Sequence, residues 1–446
     1  MTLYGLNPSF CTWTSRLPLF ADAIRRGRAF ELFDPSGLPL STAPALGPDG
    51  WPVEAPPGLS NGVRAFGDMG GRMATINIQG SDDVKIRTTP SSATITWQGG
   101  GVHRAPLVRA HAGDAVHGFS TASIAALARF KPTVLRTLDW SRANEGPSWA
   151  RPRVLPTDPL QGTDRGMAIE LQRDAANLLK AALWWNAPPR YSLTTDAYEA
   201  RLSQLLAPLR DARQAPILEL GNELWNDAFP VHDWLAADAA GWQVAAAREI
   251  ATLTRVADRV LGPQGSAWYL FVGGQLAVPS HLEKVLGALR VLRVTPNAAG
   301  PALYVTPLKV DKDFWDGSQY IPTQGELSTS CDARLFEIAG AGGVLQQHAA
   351  ICGAHGIAKF ACYEAGQSLM AGPRPWRAAA LAAQREAWMG DLYRRIRATA
   401  EAAGVDLLNW YSACTNQEPT DPRVDVFGLL EGTDYSLLPK AVAAIG

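Results

Sequence analysis

The chain predicts a (β/α)8 barrel with a small antiparallel β-domain inserted after the first strand, on three observations. Strand-like apolar runs alternate with helix-like segments from about Lys131 to the end of the chain, the order that makes a parallel sheet with helical crossovers. The strands, counted at Leu3, Thr133, Ala181, Ile217, Trp268, Leu303, Phe360 and Val405, are eight. Eight such units close into a barrel, whereas open doubly wound sheets commonly use about five or six strands. Two of the runs, Ile217-Leu-Glu-Leu-Gly-Asn-Glu223 and Lys359-Phe-Ala-Cys-Tyr-Glu364, pass directly into a glutamate. The carboxyl end of a barrel strand is where this fold assembles its chemistry.

The elements follow in order. Thr133 to Asp139 reads as a strand, Met167 to Lys180 as an amphipathic helix, and Ala181 to Asn186 as the next strand. A helix from Thr195 to Arg213, with Thr194 or Thr195 as cap, leads to the strand Ile217 to Leu220 and a long Ala-rich helix from about Trp234 to Leu261. Then come the strand Trp268 to Val272, a helix from Pro279 to Leu289, and the strand Leu303 to Thr306. A helix around Arg334 to His355, the strand Lys359 to Tyr363, a helix from Trp376 to Ala403 and the strand Val405 to Tyr411 complete the series. Residues 37–116 are rich in Gly, Pro, Ser and Thr and carry alternating runs such as Ala74 to Ile78 and Ala93 to Trp97. They are assigned to the inserted β-rich domain, and residues 1–36 and 117–446 to the barrel.

Composition narrows the function classes. With 41 Lys plus Arg against 42 Asp plus Glu, the net charge of −1 offers no long-range attraction to nucleic acid or anionic lipid. No membrane span or export signal is expected from the hydropathy pattern. An external glycan would then be reached after export by another route, by cell lysis or on a virion. The five cysteines are an odd number without paired spacing, and the seven histidines form no helical ligand pair, so neither a disulfide framework nor a metal site is expected. The glycine cluster Gly99 to Gly101 lacks the Lys and helix of a phosphate loop, so no cofactor is expected. Fifteen Trp, ten Tyr and thirteen Phe exceed the needs of core filling and suit sugar-ring faces.

Two carboxyl groups facing each other across a sugar are the equipment of glycoside hydrolysis. Glu223 and Glu364 are therefore the catalytic candidates. Arg136, at the end of strand two, is the cation available to hold Glu364, or else pairs with Asp139. Asn222 suits a hydrogen bond to a sugar hydroxyl. Asp139, Trp140, Asn186 and Gln367 lie at strand ends and are candidates for subsite lining, with Trp225 and Trp410 as candidate sugar platforms, and Trp140, Trp185, Trp225 and Trp410 would together line a groove. Tyr363 is as consistent with packing below the site as with a part in it.

The Gly221-Asn222-Glu223 ending of strand four, followed by Tyr363-Glu364-Ala365-Gly366 at strand seven, resembles the clan A retaining glycoside hydrolases. The resemblance covers the first strand and roughly Lys131 to Gly446, including Phe427 to Glu431 and Pro439-Lys440. It implies the eight-stranded barrel, Glu223 as acid/base, Glu364 as nucleophile, and an arginine at the position of Arg136. It also implies a histidine near the end of strand three, where this chain has Asn186, and a tyrosine from strand six on the nucleophile. Tyr304 is the tyrosine available; an outward orientation would leave Glu364 one partner short. The function expected is retaining hydrolysis of β-glycosidic bonds in a poly- or oligosaccharide. The alternative is a catalytically weak glycan-binding or structural module of a larger surface or phage tail assembly, docked through the inserted domain. Carboxyl groups about 5 to 5.5 Å apart would retain anomeric configuration, and a wider separation would invert it.

Overall fold

The computed structural model describes residues 2–8, 20, 118–144, 153–156, 158, 161, 165–307, 320–371, 374–414, 427–430 and 436–445, together with backbone strand segments between 28 and 116. Cys11, the glycine cluster, Glu431 and the expected boundary at residue 37 lie outside them.

Eight parallel strands close into a barrel: β1 (Leu3–Asn7), β2 (Val134–Arg136), β3 (Ala182–Ala187), β4 (Ile217–Leu220), β5 (Tyr269–Gly274), β6 (Ala298–Pro301), β7 (Lys359–Gln367) and β8 (Leu407–Tyr411). Each pairs with the next, and β8 returns to β1, where Leu3 to Asn7 run beside Leu407 to Tyr411. Because alternate residues face opposite sides of a strand, two cores result. Val134, Ala182, Trp184, Phe271, Ala361, Tyr363 and Leu407 fill the barrel. Leu6, Leu135, Leu183, Trp185, Leu218, Leu220, Cys362, Leu408 and Trp410 pack outward against the helices.

Several expected elements differ in extent. Strand two stops at Arg136 and gives way to a short helix, Leu138–Ser141. The long helix expected from Trp234 is two helices, Pro230–Ala236 and Trp242–Leu261, separated at Gly241, whose φ of +86° breaks the spiral. The helix expected around Arg334 likewise divides into Gln324–Ala339 and Val344–Ala354, and the one from Trp376 into Arg377–Ala383 and Ala387–Ala402.

The largest difference is at strand six. Pairing with β5 and β7 is made by Ala298–Pro301, and the expected segment survives only as Leu303–Val305, which pairs with the far end of β7. The sequence Ala-Ala-Gly-Pro carries little β propensity. Close approach selects it instead, since a Cβ on Gly300 would lie 2.1 Å from the Ala361 carbonyl oxygen.

Between β1 and β2, Arg28–Phe33, Gly62–Phe66, Ser92–Trp97 and Val84–Thr89 form a four-stranded antiparallel sheet in that order. The short pairs Ala45–Leu46 with Pro52–Glu54 and Thr75–Asn77 with Leu107–Arg109 lie in the same tract. Among the described residues none of these strands pairs with the barrel. Phe20, ahead of these strands, makes an isolated antiparallel bridge to Phe119.

Cys331, Cys352, Cys362 and Cys414 are buried thiols. No described helix is long and apolar enough to cross a membrane.

Candidate active site

Arg136 is fully buried at the end of β2, and a guanidinium there must spend its donors on acceptors within the protein. It does so completely. Nε and Nη2 form a fork on Glu219 (2.9 and 3.0 Å), Nη1 donates to Glu364 Oε1 (2.6 Å) and Asn7 Oδ1 (3.4 Å), and Nη2 also reaches Asn222 Oδ1 (2.7 Å). Those bonds use the five N–H groups an arginine owns. Burial would by itself lower its pKa, but the carboxylates of Glu219 and Glu364 outweigh this and raise it. The guanidinium also lies over the rings of Trp184 and Tyr363. Asp139, the alternative partner, is not bonded to it by any hydrogen bond or ion pair among these.

Glu219 was not among the residues singled out from sequence. It points into the barrel from the middle of β4 and is held by Arg136, by Trp184 Nε1 (2.9 Å) and by Asn186 Nδ2 (2.9 Å). Burial pushes its pKa up, against the pull of Arg136. The signal was present: a single carboxylate inside an otherwise apolar buried strand has to have a buried partner.

Glu364 reaches the site through a backbone irregularity. Ala361 and Tyr363 face into the barrel and Phe360 and Cys362 face outward, so strict alternation would turn Glu364 outward as well. The pairing of β7 with β8 shifts between Cys362 and Ala365, where three steps along β7 match two along β8. This β-bulge brings Tyr363 and Glu364 to the same side and returns Ala365 to the outer core. The Tyr363 carbonyl is taken by Asn409 Nδ2 (3.0 Å) and Asn7 Nδ2 (3.4 Å). Gly5 makes room for this arrangement, since a Cβ there would fall 2.1 Å from Asn409 Oδ1.

Tyr304 faces inward. Its hydroxyl donates to Glu364 Oε2 at 2.8 Å. The break after Pro301 moves Leu303–Val305 past the bulge, placing Tyr304 beside Gly366 and turning its ring inward. Glu364 is thus held on both oxygens.

Glu223 arrives by a different route, on a turn just beyond β4. Gly221 has φ +59° and Glu223 itself +44°. For a residue with a side chain, that conformation costs about 1 kcal/mol or more and is typical of functional sites. Asn226 Nδ2 donates to Oε2 (2.7 Å) and the Tyr363 hydroxyl to Oε1 (3.2 Å). Burial, then the neighbouring Glu364 charge, push the Glu223 carboxyl up to about 7. Burial and the same carboxylates raise Tyr304 and Tyr363 well above the usual phenol range, so both remain hydroxyl donors.

The remaining candidates divide. Asn222 is buried between Arg136 and Asn144, to whose Oδ1 it donates at 2.8 Å. Asn186 supports Glu219 and also donates to the Gly221 carbonyl (2.7 Å), anchoring the turn. Gln367 accepts from the Leu369 amide at 2.7 Å, a bond within its own loop. Trp225 sits beside Glu223, partly exposed. Trp140, Trp185 and Trp410 do not form a groove: each is at most 3% exposed and packed in the helix-side core, Trp410 against Tyr4 and Tyr393. The residues one step away, Trp184 and Tyr411, are the ones turned toward the site.

No family model matches the chain, and no curated protein matches its sequence. Solved structures do match at low identity. A GH51 arabinofuranosidase from Xanthomonas axonopodis pv. citri aligns at 14% identity over 74% of this chain and 66% of its own, with a TM-score of 0.48. An α-L-arabinofuranosidase from Thermotoga maritima aligns at 13% over 74% and 63%, TM-score 0.44. A psychrophilic glycoside hydrolase family 10 endo-β-1,4-xylanase aligns at 8% over 73% and 92%, TM-score 0.42. The aligned part spans less than two thirds of the two arabinofuranosidase chains. At this level the likeness carries no assignment of chemistry, and the barrel rests on its own strand pairing.

Proposed function

We propose that the protein is a retaining glycoside hydrolase that cleaves β-glycosidic bonds in a poly- or oligosaccharide, with Glu223 as acid/base and Glu364 as nucleophile. The observation that carries this reading is the contrast between two neighbouring carboxyl groups. Glu223 is raised to about 7 with only neutral donors on it, as a general acid near neutral pH requires. Glu364 has a guanidinium on one oxygen and a tyrosine hydroxyl on the other, which aims it and offsets its charge.

In the first step Glu223 gives its proton to the glycosidic oxygen while Glu364 attacks the anomeric carbon; the bond to the leaving group breaks and a glycosyl ester forms. In the second, Glu223 as carboxylate takes a proton from water, whose oxygen displaces Glu364 and regenerates both groups. Asn222 is read as donating its second amide hydrogen to the sugar 2-hydroxyl while it bonds Arg136 and Asn144. The antiparallel tract between β1 and β2 is read as an inserted β-domain flanking the barrel.

The test is turnover of a panel of aryl glycosides, with proton NMR following the anomer first released and a 2-deoxy-2-fluoro glycoside used to trap the ester. Release of the retained anomer and a label on Glu364 are expected. Binding of polysaccharide without any cleavage would instead support a glycan-binding module.

A further inference from the structure

Asp139 lies in the short helix that follows β2, three residues beyond Arg136, and is 5% exposed. Its carboxyl group lies beside the Tyr411 hydroxyl, while Oδ2 is buried with no partner among the described residues. A buried acceptor without a partner is costly, and the chemistry above gives this one no task. Arg136 cannot satisfy it, because its five N–H groups are spent on Glu219, Glu364, Asn7 and Asn222. The pattern recurs at the next two strand ends, where Asn186 Oδ1 and Trp225 Nε1 are also buried and unpartnered.

Asp139 is near enough to Glu364 for the two charges to repel, and its other charged neighbours are Arg136 and Arg142. Tyr411, which orients it, packs edge-on against Tyr304, the tyrosine bonded to Glu364. Asp139 is thus tied through Tyr411 and Tyr304 to the carboxyl group that would attack the sugar. We propose that Asp139 reads a hydroxyl group of that sugar through Oδ2, with Tyr411 holding the carboxyl in place. This rests on the glycoside hydrolase reading for the identity of the ligand. Burial, then the Glu364 charge, push Asp139 up to about 8, so near neutral pH the carboxyl is protonated and both donates to and accepts from a hydroxyl. A hydroxyl group, itself donor and acceptor, is the complement.

The experiment uses binding and not turnover, which keeps it separate from the test of catalysis. Neutral pentoses and hexoses, and the monodeoxy analogues of those that bind, are titrated by calorimetry into wild type, Asp139→Asn, Asp139→Leu and Tyr411→Phe. For one ring position, deoxygenation is expected to weaken binding to wild type by about ten- to a hundredfold, the range of a hydrogen bond to a charged or buried partner. That penalty should vanish in Asp139→Leu and shrink in Asp139→Asn and Tyr411→Phe. An equal deoxygenation penalty at every position in wild type and in the correctly folded Asn and Phe variants overturns the proposal, as does failure of wild type to bind any sugar at millimolar concentration. Position-dependent binding without turnover of any aryl glycoside would leave Asp139 its role and remove the hydrolase reading.

Discussion

The ends of β4 and β7 look alike in sequence, each an apolar run leading to a glutamate, yet they deliver their carboxyl groups by opposite means. Glu223 stands outside its strand on a left-handed turn, partly exposed, with an amide and a phenol as its partners. Glu364 stands within its strand, turned inward by a bulge, buried, and tied to Arg136 and Tyr304. A turn leaves a side chain near solvent and free to exchange protons. A bulge inside a hydrogen-bonded sheet fixes position, which suits a group that must attack a carbon in one direction. In the proposed reaction, the backbone device, more than the residue type, separates the acid from the nucleophile.

The sharpest way to break this contrast is Glu364→Gln. Turnover should fall by an order of 10⁴- to 10⁶-fold, whatever the leaving group, in a steady-state assay on aryl glycosides. Glu223→Gln should cost about 10²- to 10⁴-fold on substrates with poor leaving groups. With a dinitrophenyl leaving group, which departs without protonation, the first step should be nearly spared, and azide should rescue the second. Equal losses in both variants across leaving groups would remove the distinction between the two sites.

Arg136→Met tests the shared anchor. It strands Glu219 and Glu364 as buried carboxylates, and breaking a buried pair costs about 3 to 5 kcal/mol, to be read from urea denaturation.

The pH dependence follows from Glu223. An acid raised to about 7 is protonated below that pH, so turnover should fall about tenfold per unit above it, and this limb should disappear in Glu223→Gln. The native carboxyl binds its proton more tightly than the unfolded one. Its stabilisation is therefore complete below the unfolded value near 4.5 and is lost as pH rises through about 7. Denaturation at pH 5 and pH 8 should show a smaller difference in Glu223→Gln than in wild type.

The smallest change probes the bulge alone. Gly5→Ala drives a methyl into Asn409 and should cost about 1 to 3 kcal/mol by overpacking. It should lower kcat more than it raises KM, since Glu364 is misaimed while the rim is untouched. An unchanged kcat would separate Asn409 from the placement of Glu364.

Much of this was readable from the chain, and the failures share a cause. Arg136 ends β2, and Asn222 and Glu223 follow the end of β4, but Glu364, read as the end of strand seven, stands within it. Trp410 and Trp185 were read as lining a groove, yet face the helices, while Tyr411 and Trp184, one residue away, face inward. A slip of one residue exchanges the two faces of a strand, and the apolar runs of a sheet covered on both sides carry no alternation to show which is which. Strand six was misplaced because Ala298 to Pro301 is selected by how closely β7 approaches.

The sequence by itself determined the barrel, through apolar runs separated by helical periodicity, and singled out the glutamates beside strands four and seven. Those are properties of residue type and order along one segment. The tertiary structure decided which way each side chain turns, that Glu219 completes the site, and that Tyr304 reaches Glu364. Those depend on strand register, on one bulge and on one turn, each set by contacts between residues far apart in the chain, such as Gly5 with Asn409 and Arg136 with Glu219 and Glu364.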